Sequence, residues 1–85
     1  MKQFEYTVKD PDGIHARPAG ILVKEAGKYK STVTVTKNET TADLKKIFSL
    51  MSLGVKQGDR ILIEITGPDE NPALEAIKSL FEENL

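Results

Sequence analysis

Residues 60–66 read Arg60-Ile61-Leu62-Ile63-Glu64-Ile65-Thr66. Isoleucine recurs at every second position, the period of a β-strand with one buried face, and Gly67-Pro68 closes the run. Beyond it, Leu74, Ile77, Leu80 and Phe81 line one face of a helix. Asp69 or Asn71 is placed to be its N-cap, and Pro72 is tolerated among first-turn amides that have no helical acceptor. A strand apolar on one side, followed at once by a helix apolar on one side, predicts a sheet with one face covered and the other wet.

The rest of the chain extends this pattern. Residues 2–8 carry Phe4, Tyr6 and Val8 two apart, a half-buried strand, and Asp10-Pro11-Asp12-Gly13 is a turn. Ala19, Leu22, Val23 and Ala26 recur at helical spacing between Ala16 and about Lys28, with Pro18 in the first turn and Gly27 near the end. Val33 and Val35 between threonines make 31–37 a strand, and 37–39 the tip of a hairpin returning through 40–42. A short helix over 44–53 stops at Gly54, before a turn at 57–59. The order βαββαβα predicts an α+β fold with a single antiparallel sheet.

Composition narrows the function classes. Eighty-five residues make one domain, 1–85, too small to spare its core for a large cavity, so any chemistry sits on the surface. The absence of cysteine excludes thiolate zinc sites and disulfides. With one histidine, a metal centre would be nearly all carboxylate. No stretch approaches the roughly 18 apolar residues of a membrane span, and the first ten residues lack a secretory core, which predicts a cytoplasmic chain with no membrane insertion. Lys and Arg number 12 against 13 Asp and Glu, for a net charge of −1. That balance lacks the positive excess of a nucleic-acid binder.

The one imidazole, His15, stands immediately before a helix start. Unpaired amides there, the positive end of the helix dipole and the guanidinium of Arg17 suit a phosphoryl anion. These positive surroundings disfavour imidazolium and leave the ring neutral and nucleophilic. A plain hydrogen-bonding role beside the helix start fits the same residues. In the central segment, 100° steps put Leu44, Ile47, Phe48 and Met51 within an arc of about 100°, with Leu50 and Leu53 opposite. One such face meets the core; the other is an exposed patch, or the helix is wedged and buried on both sides.

Gly13-Ile14-His15-Ala16-Arg17-Pro18-Ala19 resembles the active-site segment of the HPr family, the histidine phosphocarriers of the bacterial phosphoenolpyruvate-dependent sugar phosphotransferase system. The segment from Leu44 to Gly54 is similar to the family's central short helix, and Ile65-Thr66-Gly67-Pro68-Asp69-Glu70 to its last strand and final turn. The resemblance spans the whole chain. It implies an open-faced β-sandwich, four antiparallel strands covered on one face by three helices. It further implies that His15 accepts phosphate from enzyme I on a ring nitrogen and passes it to IIA components of sugar permeases. By the same resemblance Arg17 steadies the phosphoryl group, the amides of Ala16 and Arg17 complete its cradle, and Ile47, Phe48 and Met51 form the partner surface. No metal or other cofactor is implied, and the chain is taken as a monomer.

Two positions depart from the family pattern. Many Gram-positive members begin the central helix with a serine phosphorylated by a dedicated kinase; Lys46 stands there instead. Lysine cannot cap, so Asp43 is expected to cap a helix starting near Leu44, with an extended or frayed first turn; alternatively Lys46 simply points into water. Gly20 replaces a small side chain inside the first helix, which costs roughly 1 kcal/mol against alanine. It is read as thinning the surface beside His15 for a partner, with neutral drift as the alternative. Two other functions compete: a regulatory binding module of the same fold that moves no phosphate, and a small acyl-phosphate hydrolase, for which no glycine-rich phosphate loop is present.

Overall fold

The computed structural model describes residues 1–85. Its elements run β1 (Lys2–Thr7), α1 (Ala16–Ala26), β2 (Thr32–Lys37), β3 (Thr40–Asp43), α2 (Ile47–Ser52), β4 (Arg60–Thr66) and α3 (Glu70–Asn84). The strands form one sheet in the order β1-β4-β2-β3, each neighbour antiparallel. The last strand in sequence is thus an interior one, and both its faces are set by alternation. Phe4, Ile63, Val35 and Ala42 stand opposite one another across all four strands. Ile63 and Val35 are fully buried in that row. The adjacent row, Glu5, Leu62, Thr36 and Thr41, faces the other way, and there the Thr36 and Thr41 hydroxyls lie 2.9 Å apart. One face is therefore apolar and covered, the other a threonine-rich wet surface.

The helices lie on the apolar face. Pro18, Ala19, Leu22 and Ala26 are the buried stripe of α1. On α3 the stripe is Ala73, Ile77 and Phe81, continued by Leu85. Of the face read as Leu74, Ile77, Leu80 and Phe81, Ile77 and Phe81 are its buried centre and Leu74 and Leu80 half-buried flanks packed against the core; Ala73 is the addition. The small Ala73 takes the centre because a four-residue step keeps it in line with Ile77 and Phe81. Phe81 fills the space under β1, its ring 5.8 Å from Phe4 edge-on and 5.6 Å from Tyr6.

Two helix boundaries and one cap depart in detail from the sequence reading. The α1 helix ends at Ala26, and Gly27 keeps a right-handed φ of −64°. Asp69 occupies the N-cap of α3, yet its side chain makes no cap hydrogen bond. It accepts instead from the amides of Lys30 and Ser31, both at 2.9 Å, and from the Ser31 hydroxyl. Third, α2 begins at Ile47, not near Leu44, and no extended first turn is present. The Leu44 amide donates to the Val33 carbonyl at 2.9 Å, carrying the sheet pairing past β3, and its side chain is fully buried. The Asp43 carboxylate is occupied by the Lys45 amide at 2.8 Å, closing a turn. Lys46 holds the N-cap in an extended conformation without a capping bond, exposed to solvent. No helix is long and apolar enough to cross a membrane.

Candidate functional site

The segment carrying His15 is fixed from both sides. Gly13 adopts φ +65°, and a Cβ there would collide with the Val55 carbonyl oxygen and come 2.8 Å from Lys56 Cα. Only glycine allows that approach. Ile14 is buried and donates its amide to the same Val55 carbonyl at 3.2 Å. His15 follows as the N-cap of α1, in extended conformation, and its carbonyl accepts the first helical bond from Ala19 at 3.0 Å. Its side chain makes no cap hydrogen bond. The amides of Ala16 and Arg17 have no helical acceptor, and Pro18 has no N–H to satisfy. Two donors thus lie beside a half-exposed imidazole, at the positive end of an 11-residue helix. Arg17 is exposed and forms no ion pair within the chain.

The surroundings of His15 are not uniformly positive, contrary to the sequence reading. Asp10 Oδ2 lies 3.9 Å from His15 Nε2. The ligand atoms of Asp10, Asp12 and His15 all lie within 4.8 Å of one another, the one group of three on the chain close enough to share a cation. Sequence reasoning treated 10–13 only as a turn; two aspartates within five residues of the single histidine were the available signal. No cavity opens on the chain, so His15 stands on an open surface.

The apolar residues of α2 separate as two faces. Leu50 is fully buried and Leu53 nearly so, while Phe48 is 85% and Met51 38% exposed. Ile47 is half-buried and packs against the core. Leu44 leaves the outward arc because it precedes the helix. An α2 wedged on both sides is therefore excluded. Beyond its end, Lys37 Nζ braces the following loop through the Gly54 carbonyl at 2.8 Å and Asp59 Oδ2 at 2.9 Å. The Lys56 amide, and then Lys37, hold the Asp59 carboxyl below the usual carboxylate range. The neighbouring α1 packs against α2, and a Cβ added at its Gly20 would meet no atom within 4 Å.

A profile of the PTS-HPr family, described as the PTS HPr component phosphorylation site, matches residues 2–83. The chain belongs to the HPr family. The phosphocarrier protein HPr of Mycoplasma genitalium is 48% identical over 85 residues, covering 99% of this chain and 97% of that protein. A mycoplasma histidine-containing phosphocarrier protein superposes with a TM-score of 0.94 at 38% identity, over 96% of this chain and 93% of that one. An HPr of Thermoanaerobacter tengcongensis gives 0.92 at 37%, over 98% and 93%. Membership makes the open-faced sandwich of four antiparallel strands and three helices the HPr fold, as the resemblance implied, and makes this chain a phosphocarrier-family component of the phosphotransferase system.

Proposed function

We propose that this HPr chain accepts a phosphoryl group on His15 from phosphorylated enzyme I and donates it to IIA components of sugar permeases. The observation that carries the reading is the half-exposed imidazole at the head of α1, beside amides of Ala16 and Arg17 that no helical carbonyl satisfies. A ring nitrogen attacks phosphorus with its lone pair as the donor's bond to phosphorus breaks and its electrons return to the donor. The incoming anion then meets two amides already oriented before transfer, and the exposed Arg17 guanidinium supplies a further donor. A site without a pocket suits a partner that brings its own active-site walls. The exposed Phe48 and Met51, with half-buried Ile47, give that partner an apolar contact, and bare Gly20 leaves room for approach.

In the same reading the chain works as a single domain in the cytoplasm, needs no resident cofactor, and has no stand-alone turnover. It is a monomer. A solved HPr of Thermoanaerobacter tengcongensis is a dimer; in this chain the Met1 amino group pairs with Glu70 at 3.0 Å, and the Lys9 and Asp10 amides, just after β1, bond to the Leu85 carbonyl. Lys46, lacking a hydroxyl, leaves the chain without the serine switch. Incubation with the serine kinase and ATP is expected to give no stoichiometric phosphoserine.

The deciding experiment is transfer from phosphoenolpyruvate with catalytic enzyme I, followed by phosphorus NMR and acid treatment, on wild type and His15→Ala. The expected result is an acid-labile phosphohistidine absent from the variant. No phosphorylation by a matched enzyme I would instead leave a regulatory binding module of the same fold, with His15 a helix-start residue.

A further inference from the structure

Asp10 is held by three hydrogen bonds, and one carboxylate oxygen takes part in none of them. Its amide donates to the Leu85 carbonyl at 2.9 Å, its carbonyl accepts from Gly13 at 3.0 Å, and Oδ1 accepts from the Asp12 amide at 2.8 Å. Lys9, next to it, also donates to Leu85, at 2.6 Å. An Asx turn of this kind fixes the carboxylate plane. What remains is Oδ2, and it faces His15 Nε2 at 3.9 Å. That distance exceeds a hydrogen bond but lies within ion-pair range, where the charge still acts on the ring.

From this geometry we infer that Asp10 is a positioning residue for phosphoryl acceptance, holding the Nε2–H form of His15 and leaving the Nδ1 lone pair as the nucleophile. The inference rests on the carrier reading above. A neutral imidazole carries one proton, and which nitrogen holds it is set by what faces the other. A fixed carboxylate opposite Nε2 favours the proton there. When Nδ1 forms the N–P bond and the donor's bond to phosphorus breaks with its electron pair leaving to the donor, the ring becomes cationic and keeps its Nε2 proton. The Asp10 charge then opposes that developing positive charge at the edge of the ring away from the bond being made. Arg17 and the helix amides act on the phosphoryl oxygens, and Asp10 acts on the ring. Asp12 is the other carboxylate of the cluster, and its amide is what pins Asp10 Oδ1.

Asp10→Asn is the sharp variant. Its side-chain carbonyl still accepts from the Asp12 amide, so the turn survives, while an N–H donor now faces Nε2 and favours the opposite tautomer. Nitrogen-15 NMR of the unphosphorylated imidazole at about pH 8 should show the population moving from Nε2–H toward Nδ1–H. Phosphorylation by enzyme I should slow by about two- to fivefold, the range an ion pair this exposed supports. Asp10→Ser keeps one acceptor for the turn and removes the oxygen that faces Nε2 together with its charge; it should lose part of the Nε2–H preference and slow in the same direction. An unchanged tautomer ratio in both variants, or a shifted ratio with an unchanged rate, overturns the inference. A wild type that takes up no phosphate overturns the carrier reading and this role with it. That failure is distinct from failure of the contact, because the tautomer ratio is measured without phosphate.

Discussion

Gly67 is packed directly on Ser31: a Cβ built at Gly67 would fall 2.5 Å from the Ser31 hydroxyl oxygen and 2.6 Å from its Cα. The contact joins the end of β4 to the segment leading into β2, and it places Asp69, two residues on, within reach of the Lys30 and Ser31 amides. Glu70 completes the turn by accepting the Gly67 amide at 3.0 Å. The strand-to-helix crossing is thus held by main-chain donors from a segment 38 residues away in sequence.

Gly67→Ala should therefore destabilise the fold although it adds only one methyl group. The added carbon meets backbone and the root of a buried side chain, neither of which can swing aside, so overpacking of about 1–3 kcal/mol is expected. Urea denaturation checks it: the midpoint should fall with an unchanged slope.

Acid should weaken the same crossing. Bonds from the Ser31 hydroxyl and then the Lys30 amide hold the Asp69 carboxyl below its ordinary range, and the Gly67 amide, followed by the Met1 amino group, does the same for Glu70. A carboxyl whose folded pKa is depressed stabilises the fold above its unfolded pKa and loses that contribution as pH falls through the folded value. Stability should be level from neutral pH down to about 5 and drop below about pH 4. In Asp69→Asn, a lower stability at neutral pH should come with a shallower acid limb. Ser31→Ala should lower Tm by about 4–8 °C, the effect of one hydrogen bond in a domain this size.

How far these features could be read from the sequence depends on whether their cause is local. Ile61, Ile63 and Ile65 announce β4 because each buries on one face of one strand, and Pro18 marks the first turn of α1 because the ring tolerates no other helical place. The interior position of β4 is not local: it follows from pairing with β1 on one side and β2 on the other. The start of α2 misleads for a different reason. Leu44 fits the arc of Ile47, Phe48 and Met51, and only its amide bond to Val33 shows that it finishes a strand edge. Asp69 likewise reads as a cap, but its acceptors are spent on Lys30 and Ser31. Around His15, the histidine and Arg17 were evident from residue type, whereas the approach of Asp10 depends on a turn closing and on Leu85 arriving from the end of α3.

Gly20 offers a test in which stability and docking move in opposite directions. It sits inside α1, where alanine is better by roughly 0.5–1 kcal/mol, and an added Cβ touches nothing within the chain. Gly20→Ala should raise the urea midpoint accordingly. If the open space beside it receives a partner, the same variant should bind enzyme I more weakly in titration calorimetry; unchanged affinity would make the glycine neutral for docking.

Phe48 separates the core from the proposed docking surface more sharply, because it is 85% exposed while Leu50, two residues on, is fully buried. Truncating Phe48 to alanine removes no core contact, so stability should stay within about 0.5 kcal/mol of wild type. An aromatic at the centre of a docking face, in contrast, carries a large share of affinity, and its loss should weaken enzyme I binding by about tenfold. Leu50→Ala should behave in reverse, costing about 2–5 kcal/mol through the cavity it leaves. Calorimetric binding measured beside thermal melts distinguishes the two. A Phe48→Ala protein with a Tm well below wild type would place that ring among the core residues, and one with full enzyme I affinity would remove α2 from the docking surface.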